Sequence, residues 1–155
     1  MFREFRAPPR CATLGRMDID ALLAVWTDPV PADDAAAAAA FRRLYTDPVT
    51  VNGAPLAVGA LVERARALQA AFSDRRTVLH DVVTAPGRLV VAFEMHVRHT
   101  GPLRTALGEV PATGRTVVSN AIDVLTLDAD DRIAEVRVVS DELGVLTQLD
   151  AARLA

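Results

Sequence analysis

One feature constrains this chain more than any other: near residue 74 its apolar residues change period. Before that point they recur at helical spacing. After it they alternate, as extended strands require, along segments of roughly 10–13 residues where five or six would be usual. Helices followed by a run of long antiparallel strands is the α+β pattern, in which helices cover one face of a bent sheet. The fold expected is therefore a cone-shaped α+β barrel, with helices packed on a strongly curved antiparallel sheet. Such a shape leaves a hollow between its layers, and small molecules bind in hollows.

The helical part divides at its breakers. Ile19, Leu22, Leu23 and Trp26 make one face of a short helix that Pro29 and Pro31 end. Asp33 and Asp34 precede six alanines, an N-cap signal on a strong helix former, with Phe41, Leu44 and Tyr45 as its apolar stripe. Asp47-Pro48 closes that helix, residues 49–51 are too short to assign, and Asn52-Gly53 is a turn. A third helix is expected over residues 56–72. Strands are expected at 77–85, 89–100, 115–127 and 133–139, with Pro86-Gly87 as a hairpin turn and residues 101–114 as a long connection. A short closing helix follows Asp141, which suits the N-cap position. Residues 1–16 show no period and no apolar stretch of a targeting peptide; they read as a flexible extension, or as sequence upstream of a start at Met17. Residues 17–155 are expected to form one domain.

Composition narrows the function classes. Of 155 residues, 51% are hydrophobic and 24% charged, which excludes a wholly disordered chain. The formal net charge of −3 is scattered, with no basic stripe for a nucleic acid. The alanine run is far too short to cross a bilayer, so no membrane partner is expected and a cytoplasmic location is. A single cysteine, Cys11, permits neither an intramolecular disulfide nor a cysteine metal cluster.

Glu94, His96 and His99 invite a metal reading, but on a strand His99 faces away from the other two, and only His80 remains as a further histidine. No metal is expected. Glycine-rich phosphate loops and nucleophile elbows are absent. What remains is an imidazole and a carboxylate on strands. Leu89, Val91, Phe93, Met95, Val97 and His99 share a face, an apolar row ending in one imidazole. Ser119, Ala121, Asp123 and Leu125 share another. An aspartate among apolar neighbours is either desolvated, which raises its pKa and suits it to acid/base work, or paired across strands with Arg98 or Arg137.

The segments AAFSDRR (70–76), RHTGPL (98–103), PATGRTV (111–117), DRIAEV (131–136) and DELGVLTQL (141–149) arrive in an order that resembles the SnoaL-like polyketide cyclases of the nuclear-transport-factor-two-like superfamily. The resemblance runs over residues 18–149. It implies a homodimer that needs no metal or organic cofactor. Characterised cyclases of that family close a ring by an intramolecular aldol reaction on an aromatic polyketide ester. Carried over by position, the family's histidine falls on His99 and the polar group of the next long strand on Asp123. The family's acid/base aspartate falls on Val138, which can move no proton.

The first functional expectation is thus cofactor-independent proton transfer on a small hydrophobic or aromatic ketone. Asp123 would be the acid or base and His99 an enolate or carbonyl partner, with Trp26, Asn52, Phe93, Met95, Ser119, Val136 and Val138 as substrate contacts. The alternatives are a non-catalytic carrier of hydrophobic ligands, which Val138 favours, and an epoxide hydrolase-like site built from Asn52, Arg98 and Asp123.

Overall fold

The structure, a computed structural model, describes residues 17–152; the extension read at residues 1–16 lies outside them. Four helices pack against a six-stranded sheet, as the period change requires. The first is α1 (Ile19–Thr27), capped by the Asp18 carboxylate, which accepts the Ala21 N–H at 3.0 Å. Asp33 caps α2 (Asp34–Arg42) in the same way, accepting from the Ala36 N–H at 2.8 Å. Then come β1 (Tyr45–Val51), β2 (Ala54–Leu56) and α3 (Val58–Ala71). The long strands are β3 (Phe72–Ala85) and β4 (Arg88–His99). A small separate hairpin, β5 (Leu103–Thr105) and β6 (Gly108–Val110), precedes β7 (Thr116–Leu127), β8 (Ile133–Ser140) and α4 (Glu142–Gln148).

The sheet order is β2-β1-β8-β7-β4-β3. The α+β class holds, with one difference in the sheet: it is mixed, because β1 runs parallel to β8, and it is open, with β2 and β3 at its edges. Three boundaries also differ. The second helix stops at Arg42, so Leu44 and Tyr45 leave the helical stripe and Tyr45 opens β1. Pairing with β8 at Tyr45, Thr50 and Val51, on either side of Asp47-Pro48, stabilises a strand that local preference does not favour. The third helix ends at Ala71 and β3 begins at Phe72, which pairs with His99. Inside the expected connection, residues 103–110 form the β5–β6 hairpin.

Two irregularities in the β3–β4 register, between Ser73 and Arg76 and between Leu79 and Asp81, bend the strand pair. At one end of the sheet, Leu89, Leu125 and Ile133 are buried against Phe41, Leu61 and Val62 of α2 and α3. At the other end a second cluster joins Phe72, Val97 and Val117 to Val145 and Leu149 beside α4. Gly101 locks that end: a Cβ there would fall within van der Waals overlap of the Ala70 carbonyl, while its N–H donates to the Ala71 carbonyl at 3.0 Å. Only glycine lets the turn after β4 lie this close to the end of α3.

Candidate functional site

Between the two clusters the layers part. The cavity there has a volume of about 690 Å³, the size of a pocket for a compact organic molecule. Strand register sets its sheet wall row by row. Val91, Asp123 and Val138 are partners across β4, β7 and β8. The next row is Phe93, Ala121 and Ser140; the one after it, Thr77, Met95 and Ser119. All nine side chains line the cavity, together with Trp26 of α1 and Leu68 of α3.

Asp123 is the only carboxylate among the cavity's lining residues. Its Oδ1 is buried with no hydrogen-bond partner. The cross-strand pairing left open by the sequence is not made: Arg137 pairs with Glu135 at 3.1 Å, and Arg98 donates to the Gly114 carbonyl at 3.1 Å. Burial pushes the Asp123 carboxyl up to about 6, because a partly desolvated carboxylate loses hydration that nothing here replaces. Beside it, the buried Tyr45 hydroxyl accepts the Trp26 Nε1–H at 2.9 Å. Burial pushes Tyr45 far above its ordinary value, and the negative charge of Asp123 adds to the rise; the Trp26 bond acts the other way. Tyr45 is therefore a neutral phenol at any physiological pH. Trp26 meets Phe41 edge-on, with ring centroids 5.4 Å apart, which fixes the indole in the cavity wall.

Two of the expected site residues lie elsewhere. His99 does not line the cavity. It is fully buried between the ring of Phe72, centroid at 5.5 Å, and Thr113, whose N–H donates to Nδ1 at 3.3 Å. An Nδ1 that accepts puts the proton on Nε2, and Nε2 has no partner. Burial lowers the pKa of this imidazole, so it is neutral. His99 pairs and packs with Phe72, and it is Phe72 that lines the cavity there, a choice between neighbours that the alternation of residues does not reveal. Asn52 is not a cavity residue either. Its side chain grips the Val138 main chain, accepting from the N–H at 2.9 Å and donating to the carbonyl at 3.2 Å. Asn52, Arg98 and Asp123 thus do not converge on one point.

Glu94, His80 and His96 sit together on the opposite, convex face. Glu94 Oε1 is 3.3 Å from His80 Nε2, and Oε2 is 3.1 Å from His96 Nε2. These bonds hold the Glu94 carboxyl below its ordinary range, the His96 bond most. Among the described residues no group of three or more potential ligands is placed to hold a metal ion, and no helix is long and apolar enough to cross a membrane.

Sequence reasoning passed over three arginines. Arg64 of α3, Arg75 of β3 and Arg104 of β5 all line the cavity. Arg75 follows Asp74, whose φ of 51° turns the chain within the β3 irregularity. No periodic signal marks such a position.

Helices on one side of a bent sheet, with an apolar chamber between them and one carboxylate in it, define a pocket-bearing α+β fold of the nuclear-transport-factor-two type. Solved structures agree. Over 86% of this chain and 92% of its own, TsrD from Streptomyces laurentii superposes with a TM-score of 0.70 at 20% identity. A SnoaL-like polyketide cyclase from Agrobacterium tumefaciens strain C58 gives 0.64 at 20% identity, over 84% and 96% of the two chains. A protein from Catenulispora acidiphila DSM 44928 with a ketosteroid isomerase-like fold, solved with trimethylamine, gives 0.62 at 12% identity over 86% and 92%. Curated proteins offer no match. The SnoaL-like polyketide cyclase family matches residues 20–149, and the chain belongs to that family.

Proposed function

We propose that the protein catalyses cofactor-independent proton transfer on a small hydrophobic or aromatic ketone, of the intramolecular aldol type, with Asp123 as its proton-transfer group. One observation carries the reading: a carboxylate with a buried, unpartnered oxygen faces an apolar chamber, and its pKa of about 6 keeps it ionised yet basic near neutrality. In the aldol step Asp123 takes a proton from the carbon next to a carbonyl. The resulting enolate carbon bonds to a second carbonyl of the same molecule, and the proton passes from Asp123 to the new alkoxide. Trp26, Phe93, Met95, Val136 and Val138 supply apolar contact and Ser119 a hydroxyl. His99 and Asn52 support the scaffold in this reading. No metal or organic cofactor takes part.

The test is exchange of an α-proton for deuterium in a bound aromatic ketone such as 2-tetralone. The wild type is expected to accelerate exchange, and Asp123→Asn to fall by about 10²-fold or more. Tight binding with exchange at the buffer rate in both proteins would favour the second reading, a non-catalytic carrier. That reading draws on Val138, which leaves Asp123 without a second titratable group in its row.

The same proposal takes the protein to be a homodimer joined through the convex face. Ile122, Val139 and Val83 project there at 50%, 74% and 59% exposure, an apolar patch unusual on a lone sheet.

A further inference from the structure

We infer that the cavity's ligand is an acid: an apolar body whose carboxylate is held by Arg75 and Arg64 while its far end reaches Asp123. The inference rests on the reading that the chamber takes a small molecule, and it adds that molecule's class. The cavity's charges are unevenly matched, with three guanidinium groups against one carboxylate. Arg104 is the least available, since its Nε lies 3.6 Å from Glu109 and its side chain is almost wholly exposed. Arg66, two residues beyond Arg64 on α3 and not a lining residue, is neutralised by Asp34 and Glu63. Arg64, by contrast, has no ion pair among the described residues.

Arg75 is held in place without being neutralised. Nε and Nη2 donate to the Thr27 carbonyl at 3.2 and 3.1 Å, and Nη1 to the Phe72 carbonyl at 2.7 Å. Both acceptors are main-chain groups and carry no formal charge. Thr27 ends α1, but a helix terminus supplies at most about half a negative charge, so Arg75 stays net positive. Of the five guanidinium N–H groups, three are used and two remain. A pre-oriented, partly buried guanidinium with two free donors suits a carboxylate, and it is screened by salt less than a surface arginine.

Strand register separates the two charges along the wall. Asp123 and Ser119 are four residues apart on β7, roughly 13 Å of strand. Ser119 shares its row with Met95 and Thr77, and Arg75 lies two residues beyond Thr77 on β3. On the sheet wall the lone anion and the held cation thus start from opposite ends of the chamber. A ligand carboxylate is repelled at one end and bound at the other, so a ligand with one acid group has a single preferred orientation.

The probes are anthraquinone-2-carboxylate and its methyl ester, which share an aromatic body and differ in charge. Binding is read at pH 8 by quenching of Trp26, the chain's single tryptophan and a cavity residue. The acid is expected to bind about tenfold more tightly than the ester. Arg64→Gln and Arg75→Gln should each weaken the acid by about threefold or more and leave the ester within twofold. Arg64 is exposed and unpaired among the described residues, so its variant keeps the test valid if loss of the Arg75 bonds unfolds the other. An ester that binds as tightly as the acid, or a preference that survives the Arg64→Gln change and the double change, overturns this inference and leaves the chamber's binding role standing. Failure of both probes to bind at millimolar concentration overturns the two together.

Discussion

Asp123 and Val138 are cross-strand partners on β7 and β8, side by side on the cavity wall. The resemblance to the cyclases puts their acid/base aspartate at Val138. In this chain the carboxylate stands one strand over, on the same row and the same face. Directly opposed residues have Cβ atoms about 5 Å apart, so the Asp123 carboxylate lies in the same part of the chamber as position 138.

Val138→Asp should therefore place two carboxylates in one row. A like charge at about 5 Å disfavours ionisation of its neighbour, and the pair should titrate in two coupled steps. The low-pH limb of the exchange rate, expected near pH 6 in the wild type, should move up by about 1–2 pH units. A rate profile recorded between pH 4 and 9 on both proteins checks this; an unmoved limb contradicts it.

Asp123 also carries a stability cost. Its folded-state pKa, about 6, lies above the ordinary 3.8, so the native state binds the extra proton between those values. Stability from this group is complete below about pH 4 and falls as pH rises toward 6, by at most about 3 kcal/mol. Asp123→Asn should consequently be the more stable protein at pH 8 and lose that advantage at pH 4. Urea unfolding at the two pH values measures the difference.

His99 acts in the opposite direction. Burial lowers its pKa below the ordinary 6.5, so the folded state resists protonation, and stability present above about pH 6.5 is lost as pH falls. His99→Ala should cost about 2–4 kcal/mol at pH 8, through the space it empties and the Thr113 N–H it leaves without an acceptor. Its effect on ligand affinity should stay within twofold, since the imidazole is outside the cavity. A tenfold loss of affinity in a folded variant would return His99 to the site.

Asn52 combines two roles. Its φ of 48°, followed by Gly53 at 87°, makes the Asn-Gly turn between β1 and β2, and its side chain holds both main-chain groups of Val138. Asn52→Ala should destabilise by about 1–3 kcal/mol, from lost hydrogen bonds and an unfavoured backbone region. Asn52→Gly should recover the turn and only part of the stability. Thermal unfolding of the two variants separates the contributions.

If the convex faces join two copies, a charge at their centre should part them. Val139→Glu, at a position 74% exposed in the single chain, is expected to leave folding intact and convert a dimer to a monomer by light scattering. A wild type that is monomeric at every concentration contradicts the dimer.

The sequence was most legible where periodicity and capping act locally. The α1 stripe through Trp26, the Asp33 and Asp141 caps and the inward row from Leu89 to Met95 all follow from spacing alone. The parallel β1–β8 pairing was not legible, because it joins residues about 85 positions apart and overrides a proline in a short segment. Alternation assigned His99 to the correct face but could not show that Phe72 and Thr113 close over it. The environment of Asp123 was left undecided for a similar reason: only the register reveals that Arg98 and Arg137 turn to other partners. The arginines at the cavity had no signal at all, since what matters about Arg75 is the absence of a counter-charge.

We propose that a single carboxylate in a largely apolar chamber carries the chemistry. Carbon-13 NMR titration of the Asp123 carboxyl, assigned by its loss in Asp123→Asn, tests it most directly. The midpoint is expected near pH 6 and should shift when an aromatic ketone saturates the cavity. A midpoint near 4 that ignores the ketone would contradict it.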